Sequence, residues 1–403
     1  MAGSETLTIA EIAGFKTAAV KAGIKQSGNL DLGLIVAQRR CNAAAVFTTN
    51  QVQSPAVRAS REHVRNGRAQ AVFVNAGNAN TCTGKRGERD VRTIYLRVAE
   101  GLKIAPEAVL VCSTGIIGHP LPMDRVIEGI DQALSKLSFR RSAGRALAKA
   151  IMTTDLKPKL ASRKIRVGRQ EISIAGIAKG SGMIEPNMAT MLCFLTTDVA
   201  IRSSLLRKAL KEAVNVTFNK LSIDKHQSTS DTALILASGA AENTQIETVG
   251  RHYEVFAQAL REVCEELAYQ MAADAEGATC TIRVVVQGAL TDADARKAVR
   301  EIVDSPLARS AFHGADPNWG RIVSAIGNSG AKMQEANLTC KIAGTTVYRR
   351  GTGVKFDAKA LSKKMKAPCW EVEVDLGLGS REDFCLTCDL SEEYVTINAD
   401  YHT

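Results

Sequence analysis

Residues 178 to 197 read Ala-Lys-Gly-Ser-Gly-Met-Ile-Glu-Pro-Asn-Met-Ala-Thr-Met-Leu-Cys-Phe-Leu-Thr-Thr. The glycines Gly180 and Gly182 and the turn pair Pro186-Asn187 predict a loop. Met191-Leu192-Cys193-Phe194-Leu195 is an apolar run of the length of a buried strand. Thr190 stands where the loop meets the strand, and the spacing admits two readings of it. One is a structural threonine at a strand start. The other is a nucleophile, and an internal threonine hydroxyl needs a base beside it to act as one. Cutting the Ala189-Thr190 bond would supply that base as the threonine's own α-amine, whose reference pKa of about 7.7–8.0 suits proton exchange near neutral pH. Ala189 offers little steric obstruction to such a cut, and the loop before it can distort.

Around this stretch lies a chain of 403 residues, long enough for two or three packed subdomains or one large α/β body. Hydrophobic content of 45% and charged content of 23% are those of a globular protein, and with aromatics at 4% the packing falls to aliphatic residues and alanine. The net charge of +10 raises the question of nucleic acid. Lys and Arg are densest from Lys136 to Arg169, but aromatics are not interleaved there as in a single-strand stacking platform, so a solvated basic face is expected. Ten cysteines are scattered, and the close pair Cys385 and Cys388 has no second pair to complete a zinc site; most read as core thiols, and no metal is expected. Met1 to Lys25 is broken by Glu5, Glu11, Lys16 and Lys21 and reads as neither signal peptide nor membrane span, giving the expectation of a reduced, cytoplasmic protein.

Along the chain, Leu32 to Ala37 and Ala43 to Phe47 read as two strands, and Ser54 with Pro55 opens a helix that Gly67 closes. Ala71 to Val74 is a strand delivering the loop Asn75 to Lys85, which resembles a phosphate loop only superficially: Gly77 and Gly84 are too far apart and Arg86 follows Lys85, so a structural turn is the expectation. The strand Val109 to Cys112 runs into Ser113-Thr114-Gly115, where glycine lets backbone come close; these residues either line a site or end a strand in an ordinary turn. Helices are predicted over Met123 to Leu137, Ser142 to Met152, Ser203 to Phe218 and Tyr253 to Met271, and a hairpin through Ile165, Val167, Ile172 and Ile174. Further strands are Ala233 to Leu236, Ile282 to Val286 and Trp370 to Leu376. The chain contains no Gly-x-Ser-x-Gly elbow and no His-Glu-x-x-His motif.

Lys179 to Ile184 and Pro186 to Leu192, together with Asn75 to Gly84, Ser113-Thr114-Gly115, Asp316 to Arg321 and Asn398 to Tyr401, resemble the ornithine acetyltransferase family, also called the bifunctional glutamate N-acetyltransferases of arginine biosynthesis. The resemblance spans nearly the whole chain. It implies an α/β (α+β) N-terminal-nucleophile-like fold with mixed sheets covered by helices, and self-cleavage into an α chain, residues 1–189, and a β chain, residues 190–403. Thr190 is then the nucleophile of a ping-pong cycle, taking acetyl from N-acetylornithine and passing it to glutamate. No cofactor is implied, though some members accept acetyl-CoA as donor. Thr114 and Gly115 match the oxyanion-hole pair, and Thr154, Lys179, Thr190, Glu276, Asn398 and Thr403 match substrate-binding positions, with Thr153 an alternative to Thr154. Lys179 is expected to meet the α-carboxylate and Glu276 a substrate amine. Members assemble as α2β2 heterotetramers, and neither nucleic acid nor membrane is an expected partner. One segment departs from the family: Lys225-His226-Gln227 follows Asp224 where Gly-Asp is usual, which removes glycine's backbone freedom, changes local charge, and bears on acceptor preference and acetyl-CoA use. Two other readings compete: a related N-terminal-nucleophile aminopeptidase or amidohydrolase that delivers the acyl group to water, and a non-catalytic basic binding protein.

Overall fold

The computed structural model describes residues 6–185 and 191–400. Two sheets organise them. The first is built from β1 (Phe15–Val20), β2 (Leu32–Phe47), β3 (Arg68–Asn78), β4 (Val109–Ile116), β5 (Lys159–Val167), β6 (Gln170–Lys179), β7 (Leu192–Thr197) and β8 (Thr232–Ala237). Its order is β4-β3-β2-β8-β7-β6-β5, with β1 pairing β2 off that path. The sheet is mixed: β3 with β4 and β7 with β8 are parallel, each pair joined through a helix, Gly84–Leu102 or Ser203–Val216, because parallel neighbours need a crossover connection. The remaining pairs are antiparallel.

The apolar run at Met191 becomes β7, and both its faces are buried. Cys193 and Leu195 pack toward the helices Ser203–Val216 and Arg251–Ala273, while Leu192 and Phe194 pack on the opposite face with Ile177, Leu234 and the helix Arg141–Ala150. A strand buried on two sides has no polar face to alternate, so its sequence is continuous rather than periodic. The outer part of the sheet is covered by Gly84–Leu102 and Met123–Ser135 over Leu34, Phe73 and Val111.

The second sheet has the order β12-β11-β10-β13-β9-β14 and a core of its own. Its strands are β9 (Thr281–Ala289), β10 (Thr339–Ile342), β11 (Thr345–Arg349), β12 (Thr352–Gly353), β13 (Cys369–Asp375) and β14 (Arg381–Cys388). Packing therefore changes hands near Cys280, whereas the division at residues 189 and 190 expected above is one of covalent chain.

Several local expectations hold. Ser54 Oγ accepts from the Val57 amide at 3.2 Å, and Gly67, with φ of +74°, ends the helical segment in a left-handed conformation. Eight of the ten cysteines are buried and none is disulfide-bonded. Other expectations are corrected. The two strands read at Leu32 and Ala43 are one, β2, broken by a register shift between Val36 and Cys41 that lets the polar Gln38, Arg39 and Arg40 pass without ending the strand. Ser113, Thr114 and Gly115 lie within β4 rather than beyond it. In the basic stretch, Lys159 is buried between Asp155, at 2.7 Å, and Asp274, at 2.6 Å, instead of standing on a solvated face. Near the C-terminus, Glu392–Asp400 form a helix that the sequence pattern does not predict.

Candidate active site

β4 and β6 carry the first two groups. β4 runs beside β3 in parallel register, with Gly115 opposite Gly77. A Cβ on Gly115 would lie 2.4 Å from the Gly77 carbonyl carbon and 2.5 Å from the Asn78 nitrogen, and its φ is +125°, so only glycine fits. The close approach expected at this position is thus to the neighbouring strand. Thr114, next to it, is buried and turns its hydroxyl toward β6, where Lys179 Nζ donates to Thr114 Oγ1 at 3.2 Å. A lysine donating to that oxygen leaves the hydroxyl proton available to a ligand and polarises the O–H bond. Burial pushes the Lys179 ammonium below its ordinary pKa, although Asp155, Asp231 and Glu276 draw it the other way.

The loop after β6 is held by two aspartates. Asp155 Oδ1 accepts the Gly180 amide at 2.7 Å as well as Lys159 Nζ. Burial raises the Asp155 carboxyl, but Lys159, Lys179 and the Gly180 amide outweigh it and hold the group below the usual range. Asp224 takes the Met183 and Ile184 amides at 2.5 and 2.8 Å, and its carboxyl is pushed up by burial. Gly182 packs on Glu276, whose carboxylate a Cβ there would meet at 2.3–2.5 Å. Glu276 Oε2 in turn accepts Asn398 Nδ2 at 2.8 Å from the C-terminal helix.

These elements enclose a cavity of about 250 Å³, below the roughly 300–1,000 Å³ of drug-sized sites and suited to a small metabolite. Thr114, Gly115, Thr154, Lys179, Glu276 and Asn398 all line it, so every site residue expected from the sequence that lies among the described residues converges here. Thr153 lines it too, while the Thr154 hydroxyl pairs with Ser181 Oγ at 2.7 Å. Thr190, Ala189 and Thr403 lie outside the described residues. Met191, which follows Thr190 in the chain, is buried, and its amide donates to Asp231 Oδ1 at 2.8 Å. Asp231 is itself buried, which pushes its carboxyl well up.

Sequence reasoning missed Tyr394 as a lining residue, whereas the segment from Asp224 that it marked as departing from the family, and tied to acceptor preference, lines the cavity with Asp224, His226 and Ser228 to Ser230. In the structure Lys225 has φ of +60°, the left-handed backbone that glycine adopts freely. The loop expected over Asn75 to Lys85 is shorter than that, because Asn75 to Asn78 belong to β3 and Gly84 and Lys85 open the helix Gly84–Leu102. Asn75 Nδ2 donates to the Asn78 carbonyl and Asn80 Nδ2 to that of Gly87, while Asn78 Nδ2 reaches the His119 and Pro120 carbonyls.

A second cavity, of about 600 Å³, adjoins the first through Thr153 and is lined by Lys25, Asn78 and His119. No helix among the described residues is long and apolar enough to cross a membrane.

A family model described as the ArgJ family matches residues 16–403. The arginine biosynthesis bifunctional protein ArgJ of Lactococcus lactis is 43% identical over 394 residues, covering 98% of both chains. That of Caldanaerobacter subterraneus is 43% identical over 394 residues, covering 97% of both. Among solved structures, the ArgJ protein of Bacillus halodurans is 37% identical with a TM-score of 0.50, over 52% of this chain and 98% of that one. An ornithine acetyltransferase of Mycobacterium tuberculosis, solved with ornithine, is 36% identical with a TM-score of 0.41, over 45% of this chain and 95% of that one.

Proposed function

The chain belongs to the ArgJ family and is an acetyltransferase of arginine biosynthesis, and we propose that it works by transferring acetyl from N-acetylornithine through Thr190 to glutamate. The observation that carries the residue assignments is the convergence of Thr114, Gly115, Thr154, Lys179, Glu276 and Asn398, drawn from five separate parts of the sequence, on one cavity. A site of that make-up suits an amino-acid derivative: Lys179 for the α-carboxylate, and Glu276, oriented by Asn398, for an ammonium.

In this reading the Ala189-Thr190 bond is cut by the chain itself, freeing the Thr190 amine to act as base for its own hydroxyl. The hydroxyl attacks the acetyl carbonyl of N-acetylornithine. The carbonyl oxygen becomes an oxyanion, taken by the Thr114 hydroxyl and the Gly115 N–H; such donors act on charge that exists only in the transition state. Collapse releases ornithine, which leaves with the proton held by the amine. The amine of glutamate then attacks the acetyl ester and gives a proton to the Thr190 amine, and the same donors stabilise the second oxyanion. Collapse breaks the ester bond to Thr190, returning that proton to the threonine oxygen as N-acetylglutamate departs. The solved Bacillus halodurans chain supports the cut, because it is matched over 98% of its length by only 52% of this one, and a cut before Thr190 leaves pieces of 189 and 214 residues. The pieces pair further into a heterotetramer. No cofactor takes part in this reading.

Intact-mass measurement of the purified protein, with and without N-acetylornithine, tests this. Wild type gives two pieces divided at Ala189-Thr190 and an acetyl adduct on the piece beginning with Thr190, whereas Thr190→Ala gives one unmodified chain. A single uncleaved wild-type chain without adduct refutes the assignment. Product release separates transfer from hydrolysis: N-acetylglutamate forms in the first case and free acetate in the second.

A further inference from the structure

The transfer reaction, on which this inference rests, asks one cavity to receive two ligands of different charge. N-acetylornithine carries one carboxylate and one side-chain ammonium. Glutamate carries two carboxylates, and its amine must reach the acetyl group. Among the described residues lining the cavity, two side chains are acidic, Asp224 and Glu276, and two are basic, Lys179 and His226.

The carboxylates divide by what already holds them. Asp224 accepts the amides of Met183, Ile184 and His226, and Tyr394 Oη reaches it at 3.4 Å, so its oxygens are committed to the frame of the site. Glu276, whose Oε2 accepts Asn398, is the acid left to meet a ligand ammonium. Of the basic groups, Lys179 is buried beside Thr114, at the end of the cavity where the acetyl carbon must lie, and suits the α-carboxylate common to both ligands.

N-acetylornithine is thereby matched at both charges. Glutamate is not: its second carboxylate would face Glu276 and Asp224 with no cation of its own. His226 is the other basic side chain among the described residues on the cavity wall, and it is exposed. The left-handed backbone at Lys225 sets the path of this segment from Asp224, which is fixed to the Met183-Ile184 turn, to the cavity-lining His226.

We propose that His226 is the acceptor-selecting residue of this enzyme, its imidazole N–H donating to the side-chain carboxylate of glutamate, a contact that N-acetylornithine does not require. Hydrogen bonds to charged groups contribute roughly 1.5–3 kcal/mol, which corresponds to about tenfold or more in binding.

The test measures the two half-reactions apart. Acetyl-enzyme formation is followed by rapid-quench intact mass against N-acetylornithine concentration, and its discharge against glutamate concentration, for wild type, His226→Ala and His226→Asn. The expected result for His226→Ala is a KM for glutamate raised about tenfold or more and a KM for N-acetylornithine raised about twofold at most. His226→Asn, which keeps an N–H donor, recovers part of the glutamate affinity. A wild-type dependence on glutamate in His226→Ala, or both KM values rising together, overturns the proposal while leaving the transfer reaction standing. Failure of the wild type to take acetyl from N-acetylornithine overturns the transfer reaction and this proposal with it.

Discussion

Thr114 owes its chemistry to a single neighbour. Its hydroxyl oxygen takes a hydrogen bond from buried Lys179, so the proton on that oxygen is directed to a ligand. Thr114→Ala removes this donor from a strand otherwise unchanged: turnover falls by about 10²–10³ while the melting temperature moves little, and kcat measured beside a thermal melt checks both. Lys225 is the opposite kind of residue, one whose backbone is set against its side chain. A left-handed conformation costs a non-glycine residue about 1–2 kcal/mol, offset in a glycine variant by roughly 0.5–1 kcal/mol of added chain entropy. Lys225→Gly is therefore expected to raise the unfolding free energy by roughly 0–1.5 kcal/mol in urea titration, and a destabilised variant would contradict the strain. Both positions were visible in the sequence, Thr114 through its motif and Lys225 through its departure from one. What they touch was not, because Thr114 and Lys179 are 65 positions apart.

Among elements, the C-terminal helix Glu392–Asp400 was the least legible, for a physical reason. It buries no side chain and so has no apolar stripe of helical period to read. It is held by polar contacts to distant segments: Ser391 Oγ donates to the Gly277 carbonyl at 2.6 Å, Asn398 to Glu276, and His313 Nε2 stands 3.5 Å from Glu392. Gly277, with φ of +67°, lies so close that a Cβ would come within 2.5 Å of the Tyr394 amide. Gly277→Ala is expected to push this helix outward and carry Asn398 off Glu276, raising the substrate KM by about tenfold for the one hydrogen bond to a charged group that is lost. A steady-state titration measures it, and an unchanged KM would show that the helix does not complete the site. β7 is the contrary case. Its apolar residues Leu192 to Leu195 were readable because a strand buried on two faces has no polar side to alternate, and only the buried Thr196 and Thr197 at its end depart from the run.

At the scale of the whole molecule, the proposed cut falls in the chain between β6 and β7, strands of a sheet that is shared between the two pieces. β7 and β8 follow residue 190, yet they pair with β6 and β2, which precede it. The pieces are thus expected to elute together in native gel filtration and to separate only in denaturant; separate elution without denaturant would contradict the interleaving. Across the same join, Lys159 lies between Asp155 of the first piece and Asp274 of the second. Breaking such a buried cluster costs about 3–5 kcal/mol, the loss expected in the unfolding free energy of Asp155→Asn. Because the folded Asp155 carboxyl lies below its unfolded value of about 3.9, its contribution is complete above that pH and is lost as pH falls through the folded pKa. Stability measured against pH should therefore drop on acidification in wild type and less steeply in Asp155→Asn. The sequence by itself determined the buried strands, the helix caps, the family and the candidate residues, since these rest on local composition and on motifs contiguous in the chain. Tertiary structure alone decided the order of β2, β8, β7 and β6, the burial of Lys159, and the meeting of Asp224, His226, Glu276 and Asn398 around one cavity. Those facts depend on contacts between segments many tens of residues apart, and such contacts leave no periodic trace in either partner's sequence.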